Sequence, residues 1–435
     1  MKNFITLCLL CVIFLFSATT VGTVYAFQPE QIEFVYNGKI FNYSLDENVK
    51  TSSVFSVNRE INKYNRFGST DERIHLLKKM LKLGFDEDVS LDYLFPNLLN
   101  KINSIAKNVY VAQKNAKLSI DSNSQKVFHI TPEVIGTELD KPKLIKNIIY
   151  SYLNQKEMKF SLPIKHLNPS VLKKDFEKFS NLRADFSTNI SNSNTDRKHN
   201  IKNALQSLNK VEIAPNQIFS FNKTVGRRTA ENGYRSAKII INNEFVDGIG
   251  GGVCQVSSTL YNTALLAGLE IVEANKHSKQ VGYVKQGFDA MVNFGSSDLK
   301  FKNNTTEKLT IITNYSSTSA RIRIFGESMK NTHYKLTNEI LNIQNPIEEI
   351  IIDENQKYKD KVIYNDEFFY LKTSNIGMEI KSYREKYVNN ELVSTEQLRH
   401  DKFKAQNAVK VYGSVPRNTN SQDFENEKSA EQPCA

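Results

Sequence analysis

The chain has 435 residues, which is enough for two to four domains with separate cores. Apolar residues make up 40% of it, with 19 tyrosines and 26 phenylalanines, so a wholly disordered chain is excluded. The formal net charge of +10 indicates an acidic partner, such as an anionic polymer or a membrane surface. Its lysines are scattered among acidic residues rather than massed with aromatic residues, which argues against nucleic acid as that partner.

The first 26 residues are typical of a targeting segment. Lys2 gives a positive start, Phe4 to Phe16 is nearly all apolar, and Val24-Tyr25-Ala26 has short side chains where a signal peptidase reads. Because Phe4 to Phe27 is also long enough to span a bilayer, removal as a signal peptide and retention as a membrane anchor both stay open. Either outcome predicts export of the rest of the chain.

Residues 27–180 are predicted to form an α+β domain. The spacing of apolar residues favours helices, and two short alternating runs around a polar turn favour a hairpin. The helical patterns cover Asp71–Leu83, Leu91–Ile105 and the residues after Asp140, and the strand patterns cover Ala116–Ile120 and Lys126–Ile130.

A glycine-dense loop, residues 248–252, runs directly into Cys254 and a helical pattern that ends at Gly268. A hairpin is predicted just before it, over Ala237–Val246, so the cysteine leaves a strand and enters a helix. At the first turn of that helix, free N–H groups and the helix dipole favour thiolate over thiol. Glycines let the backbone approach a ligand closely, and the Cys254 N–H could stabilise an oxyanion.

His277 is the nearest downstream base for a nucleophilic Cys254. The helix carries the chain roughly 20 Å away, and the stretch after Gly268 can return about 30 Å if it is extended. Asp289, placed on a following strand, is a candidate to orient the imidazole. The alternatives are a cysteine that is simply a small buried hydrophobe, a structural histidine and an aspartate in a turn.

Arg227 and Arg228 precede the hairpin, and one of them could hold a substrate carboxylate, although a solvated pair of arginines is an equal alternative. Neither a second cysteine nor a paired histidine lies near Cys254 at ligand spacing, so we expect no metal. We also expect no cofactor, since there is neither a P-loop nor a dinucleotide fingerprint.

Four cysteines occur in the chain, and two of them, Cys8 and Cys11, lie inside the targeting segment. Of the exported pair, Cys434 stands in a polar tail, and a disulfide with Cys254 would tether that tail over the glycine loop. We therefore expect Cys254 to be unpaired and reactive.

The last part of the chain changes in composition. Residues 329–412 read as a small β-rich module, with strand-like stretches at Lys361–Leu371 and Met378–Leu398 and a hairpin turn at Asn389-Asn390. Residues 413–435 read as a disordered tail. The overall expectation is a multidomain α+β protein.

The stretch Gly250-Gly251-Gly252-Val253-Cys254-Gln255-Val256-Ser257-Ser258-Thr259-Leu260-Tyr261-Asn262 resembles the signature of the VanW family of Gram-positive envelope proteins. The flanking pieces that also resemble it are Phe219–Asn222, Gly233-Tyr234, His277-Ser278, Gly287–Ala290 and Asp298–Asn304. The likeness covers 184–326, which we take as the centre of a VanW domain at 181–328. Residues 50–165 are similar to the peptidoglycan-binding domain often found before VanW domains, and 329–412 are similar to the glycine-rich β modules that often follow them.

The resemblance implies an L,D-transpeptidase of the cell wall, as reported for some clostridial members, with Cys254 as nucleophile and His277 and Asp289 as its catalytic partners. It implies stem peptides and glycan as partners, with anionic wall polymers and the membrane as further contacts, and an extracytoplasmic address. Substrate contacts are expected at Gly251, Gly252, Gln255, Arg228 and Tyr234. The family often has a second histidine where this chain has Lys279, so no role is carried over to that position. A cysteine endopeptidase or carboxypeptidase and a non-catalytic wall-binding protein stay as alternatives.

Overall fold

The structure is a computed structural model that describes residues 30–44, 95, 97–153, 156–241 and 244–417. The chain divides into two compact units, residues 1–117 with 131–172 and residues 118–130 with 173–435. The targeting segment, the predicted helix at Asp71–Leu83 and nearly all of the predicted tail lie outside the described residues.

The described residues form six helices and twenty-two strands. The helices are α1 (Leu98–Val109), α2 (Lys141–Leu153), α3 (Lys173–Glu177), α4 (Thr195–Leu208), α5 (Phe221–Val225) and α6 (Val253–Leu266). The strands are β1 (Gln31–Tyr36), β2 (Lys39–Ser44), β3 (Lys117–Ile120), β4 (Phe128–Thr131), β5 (Gly136–Leu139), β6 (Lys159–Ser161), β7 (Ile164–Leu167), β8 (Asn181–Asn189), β9 (Val211–Ile213), β10 (Ile218–Ser220), β11 (Ser236–Ile241), β12 (Glu244–Ile249), β13 (Glu270–Glu273), β14 (Lys300–Lys302), β15 (Leu309–Tyr315), β16 (Ser319–Gly326), β17 (Thr332–Gln344), β18 (Glu348–Ile352), β19 (Phe368–Lys372), β20 (Gly377–Val388), β21 (Glu391–Phe403) and β22 (Ala408–Tyr412). The mixture confirms the broad α+β expectation.

The first unit packs α1 and α2 with the sheet β2-β1-β6, in which β1 and β6 are parallel. Helix α1 begins at Leu98, later than the pattern predicted, because Asn97 has a positive φ of 66° and cannot continue the helix backward. The Asp140 carboxylate accepts a hydrogen bond from the Lys143 amide and so caps α2, the helix that the sequence predicted after this residue.

The second unit is centred on α6, which packs against the sheet β8-β16-β15-β9 and helix α4. Strands β11 and β12 form the predicted hairpin, and β12 leads through the glycine loop into α6. Residues 118–130, which form most of hairpin β3–β4, are also part of the second unit, because Val127 and Phe128 pack against Ile312 and Phe325. The sequence pattern had grouped that hairpin with the N-terminal domain.

The end of the chain adds the sheets β17-β20-β21 and β18-β22-β19 to the second unit. Strands β20 and β21 are joined at Asn389-Asn390, where both residues have positive φ, as a tight two-residue hairpin requires. The predicted strand at Lys361–Leu371 is shorter in the structure and begins only at Phe368. Among the described helices, none is both long and apolar enough to cross a membrane.

Candidate active site

Cys254 is the second residue of α6, at the end of a glycine loop that folds tightly against β11. Gly250 and Gly252 have positive φ values of 88° and 105°, which side-chain-bearing residues rarely adopt. A Cβ atom on Gly251 would lie 2.7 Å from the backbone of Ala237, so only glycine fits this approach. The loop therefore delivers Cys254, a half-buried free thiol, to the first turn of the helix as the sequence predicted.

His277 returns to Cys254 after α6 and β13. The left-handed Gly268, with a φ of 72°, follows the helix, and the chain then runs back along β13. The His277 ring is buried, and its Nδ1 lies 2.6 Å from Oδ2 of Asp289. The Cys254 thiol donates to the Val292 carbonyl at 3.5 Å. The His277 imidazole is close enough to that thiol for the two groups to shift each other's pKa. The structure thus brings the three predicted catalytic residues into one connected set.

Asp289 lies in an irregular segment rather than on the strand that the sequence predicted. Its Oδ2 accepts two hydrogen bonds from His277, one from the ring and one from the backbone amide at 2.7 Å. In a β-strand, the backbone groups would hydrogen-bond to a neighbouring strand. In this segment they hydrogen-bond to side chains of α6 instead. The acid is therefore held by side-chain contacts and not by a sheet ladder.

The electrostatics of the three groups favour an ion pair. Burial raises the pKa of the Cys254 thiol, but the hydrogen bond with His277 and the positive charges of His277 and Arg228 bring it below its ordinary value. Burial disfavours the His277 imidazolium, yet the hydrogen bonds with Asp289 and Cys254 raise its pKa to about 9. Burial also opposes the Asp289 carboxylate, but its bond to His277 and the charge of Arg399 lower its pKa to about 2. A thiolate beside an imidazolium is the nucleophilic form of cysteine.

Polar side chains of α6 fix the segment that carries Asp289. The Ser258 hydroxyl accepts a hydrogen bond from the Ala290 amide at 2.9 Å, and the Asn262 amide donates to the Phe288 carbonyl at 2.8 Å. These bonds fall on the two residues that flank Asp289. Sequence reasoning treated α6 as an apolar stripe and missed both. The signal was available, because a polar run inside a helix that is otherwise apolar needs buried partners.

Arg399 of β21 is a further contact of Asp289 that sequence reasoning missed. Its guanidinium donates to the Asp289 carbonyl at 2.7 Å and to Oδ1 of the same residue at 2.8 Å, and it lies 3.0 Å from Asp401. Burial opposes the charge of Arg399, but Asp289, Tyr261 and Asp401 raise its pKa. The only sequence signal was a basic and an acidic residue two apart on a strand, which share one face.

The Arg228 guanidinium lies close enough to Cys254 for the two charges to interact. Its Nη2 donates to the Asn222 side chain at 2.7 Å, and its Cβ packs against Gly250. Burial lowers the pKa of this guanidinium, and the nearest opposing influence is Cys254. Its Nη1 is buried and has no hydrogen-bond partner among the described residues. A buried donor without a partner is costly, so this nitrogen is available for an anionic ligand.

The other residues predicted to contact substrate are held in structural contacts. The Gly251 carbonyl accepts from Asn200 at 3.0 Å, and Gly252 is buried against α4. The Gln255 side chain is buried, where it accepts from Arg197 at 2.7 Å and donates to the Asn189 carbonyl at 2.9 Å.

Tyr234 is also buried, and burial raises the pKa of its phenol. Substrate contact by Gly251, Gly252, Gln255 and Tyr234 stays a prediction.

Lys279 is the residue two positions after His277 to which the resemblance carried no role. Its side chain is largely buried, and its Nζ lies 4.9 Å from the centre of the Phe245 ring on β12. A cation over an aromatic face is a stable arrangement without any catalytic role. Within the described residues, no group of three or more His, Cys, Asp and Glu side chains could hold a metal ion.

Two family models match the chain. Residues 196–325 match the family described as "VanW like protein", and residues 53–160 match the one described as "Putative peptidoglycan binding domain". The chain therefore carries a VanW-like domain preceded by a peptidoglycan-binding type of domain, which confirms the resemblance. Together the two matches imply a cell-wall-associated, extracytoplasmic function.

Two curated proteins are similar to this chain. YoaR of Bacillus subtilis, described as uncharacterized, is 34% identical over 209 residues, which is 47% of this chain and 65% of that protein. The vancomycin B-type resistance protein VanW of Enterococcus faecalis is 26% identical over 148 residues, which is 32% of this chain and 52% of that protein. The chain thus spans less than two thirds of each relative.

Among solved structures, a G5 domain of IgA1 protease aligns with 20% of this chain and 96% of its own chain. The sequence identity is 16% and the TM-score is 0.14.

Proposed function

We propose that this chain is a cysteine acyltransferase of the cell wall, an L,D-transpeptidase that forms 3–3 cross-links between peptidoglycan stem peptides. The observation that carries the proposal is the connected set of a half-buried Cys254, a buried His277 and a buried Asp289. Such a set is the recurring arrangement of a nucleophile, a base and a group that orients the base. The wall as substrate comes from the two family matches.

In the first half-reaction the Cys254 thiolate attacks the carbonyl carbon of the third residue of a tetrapeptide stem. A carbon–sulfur bond forms, and the carbonyl becomes a tetrahedral oxyanion. The amides of Val253 and Gln255 already bond to the carbonyls of Gly250 and Gly252. We therefore assign oxyanion stabilisation to the amides of Cys254 and its neighbouring glycines, near the positive end of α6.

The same half-reaction ends when the carbon–nitrogen bond to the terminal D-alanine breaks. The His277 imidazolium gives its proton to the leaving nitrogen and becomes neutral, while Asp289 keeps the ring oriented. Free D-alanine departs, and the stem remains on Cys254 as a thioester. Arg228 is placed to hold a substrate carboxylate through its unpaired Nη1, since arginine suits planar carboxylates.

In the second half-reaction the side-chain amine of a neighbouring stem attacks the thioester. Neutral His277 takes a proton from that amine, a new amide bond forms and the carbon–sulfur bond breaks. The thiolate and the imidazolium are thereby restored. If water attacked instead, the same residues would release a shortened stem, and the protein would be a peptidase.

The domain before the catalytic one is proposed to hold the wall, and the basic charge of the chain suits anionic wall polymers. The N-terminal segment would direct the chain across the membrane, as a cleaved signal or as an anchor. We assign the protein to the outer face of the membrane or the wall.

The experiment is incubation of the purified protein with tetrapeptide-containing muropeptides, followed by mass analysis. We expect dimers with loss of one D-alanine per cross-link, and a protein adduct with the mass of the acylated stem. Shortened stems without dimers would mean that the protein hydrolyses stems instead of cross-linking them. Unchanged muropeptides would mean that it only binds the wall.

The matched variants are Cys254→Ser and Cys434→Ser. The first should lower turnover by about 10⁴-fold or more, because the alcohol is a much weaker nucleophile than a thiolate. The second removes the other cysteine of the exported part and should leave turnover unchanged. Equal activity of Cys254→Ser and the unmodified protein would contradict the mechanism.

A further inference from the structure

A cavity lies next to Gln255, the residue that follows the proposed nucleophile Cys254. It has a volume of about 570 Å³, which is large enough for a peptide side chain or terminus. Two of its lining side chains are basic and none is acidic, and most of the others carry amides or hydroxyls. Its lining includes Asn192, Ser193, Arg197, Lys238, Gln255 and Tyr283.

Arg197 is fixed in the wall of this cavity by α4 and α6. Its Nε donates to the Ser193 hydroxyl at 3.2 Å, and its Nη2 donates to the Gln255 side chain at 2.7 Å. Its alkyl stem packs where a Cβ of Gly252 would lie, against the glycine loop. Neither hydrogen bond uses Nη1. An arginine that is already ordered loses little side-chain entropy when it binds a ligand.

The charge of Arg197 belongs to the same electrostatic environment as the nucleophile. Burial lowers the pKa of this guanidinium, and the negative charge of the Cys254 thiolate opposes that shift only in part. Lys238 adds a second cation to the wall, although it is exposed and pairs with Asp247 at 3.0 Å. Burial keeps the phenol of Tyr283 protonated by raising its pKa, so it can donate a hydrogen bond.

We propose that this cavity is a carboxylate subsite for the peptide that reacts at Cys254. The ligand class is an acidic peptide whose free carboxylate is received by Arg197, with Asn192 and Tyr283 as further polar contacts. No acidic side chain lines the cavity, and because Lys238 is paired with Asp247, Arg197 is the charge that fits a carboxylate and not an ammonium group. The proposal rests on the proposed function, because it names the substrate feature that the same site selects, and it is distinct from the Arg228 contact.

The test measures binding without turnover. In Cys254→Ala protein, calorimetry compares a stem tetrapeptide that has free carboxylates with the same peptide fully amidated. We expect the acid to bind about ten- to a hundred-fold more tightly, because a charge-assisted contact is lost in the amide. Arg197→Gln in that background should remove most of the preference for the acid and leave the affinity for the amide unchanged, and the remainder belongs to the Arg228 contact.

Two controls separate this role from a structural one. Arg235→Gln removes an exposed arginine that pairs with Asp196 on α4 and does not line the cavity, so it should preserve the preference for the acid. Arg197→Lys keeps the positive charge but loses the forked set of guanidinium donors, so it should keep part of the preference for the acid. Each variant is compared by thermal unfolding before binding is interpreted.

The proposal is overturned if acid and amide bind equally, if neither binds at millimolar concentration, or if Arg197→Gln leaves the preference for the acid undiminished. It stands if the preference depends on Arg197 even in a protein that shows no cross-linking. Conversely, cross-linking without such a preference would leave the proposed function intact and remove this subsite.

Discussion

Helices α1 and α6 bury their side chains for different reasons. Helix α1 buries a single apolar stripe, formed by Leu98, Ile102, Ile105 and Val109. Helix α6 buries nearly every residue, including the polar side chains of Gln255, Ser257, Ser258, Thr259, Asn262 and Thr263. The first pattern removes apolar surface from water, and the second also orients neighbouring backbone. A helix that buries polar side chains therefore fixes the position of the backbone beside it, in addition to removing apolar surface from water.

The largest effect is expected from the acid that α6 helps to hold. Asp289→Asn should lower turnover by about a hundred- to ten-thousand-fold, because the imidazole loses its charged partner. The ion pair exists above the pKa of Cys254 and below that of His277, so activity falls as pH rises through about 9. Without the carboxylate the His277 pKa falls, so this alkaline limb of the pH–rate profile should move to lower pH. A limb that stays near pH 9 would contradict the role of Asp289.

Arg399 gives the next largest effect, about ten- to a hundred-fold in turnover for Arg399→Gln. It loosens Asp289, which it contacts through two hydrogen bonds. The change also removes a positive charge that opposes the imidazolium, so the alkaline limb should move to higher pH, opposite to Asp289→Asn. A purely structural role would lower turnover without moving the limb.

The control for Arg399 is Arg384→Gln. Arg384 is a partly buried arginine of the neighbouring strand β20 that bonds to the Leu269 carbonyl and Glu396. It should leave the pH–rate profile in place. Arg399→Lys, which keeps the charge, should restore most of the normal limb.

A smaller effect on turnover tests the polar face of α6 directly. Ser258→Ala leaves the buried amide of Ala290 without its acceptor, which costs about 1–3 kcal/mol in the free energy of unfolding. We expect turnover to fall about tenfold, because Asp289 lies next to that amide. Unchanged turnover with the same loss of stability would mean that the polar face supports only the fold.

The smallest effect on turnover belongs to α1. Ile102→Ala opens a cavity in the apolar stripe, and the free energy of unfolding of the first unit should fall by about 2–5 kcal/mol. Turnover of a soluble muropeptide, measured below the unfolding temperature, should stay within about twofold of normal, since α1 holds no catalytic group. If Ile102→Ala lowered turnover at temperatures where the protein is still folded, α1 would affect the reaction as α6 does, which would contradict this prediction.

The sequence was sufficient where the information was local. The period of apolar residues predicted α1, α2 and α6, and the glycine loop predicted a cysteine at a helix start. The pairing of Cys254 with His277 followed from the reach of the chain. The structure places Asp289 with them, although in an irregular segment.

The remainder could not be predicted, because it depends on contacts between distant segments. Arg399 lies on a strand that the sequence assigned to a separate module, and nothing local links that strand to Asp289. The partners of Ser258 and Asn262 are backbone groups, which every residue carries and which leave no mark in a sequence.

The contact from β21 also bears on where a minimal enzyme can be cut. A fragment ending with the family match at residue 325 would contain the proposed nucleophile, base and acid, yet Oδ1 of Asp289 would lose its hydrogen bond from Arg399. The strand that supplies it arrives more than seventy residues later, since Arg399 follows residue 325 by 399 − 325 = 74 positions. For protein engineering, the smallest fragment that keeps this site intact must therefore extend to Arg399, beyond the end of the family match.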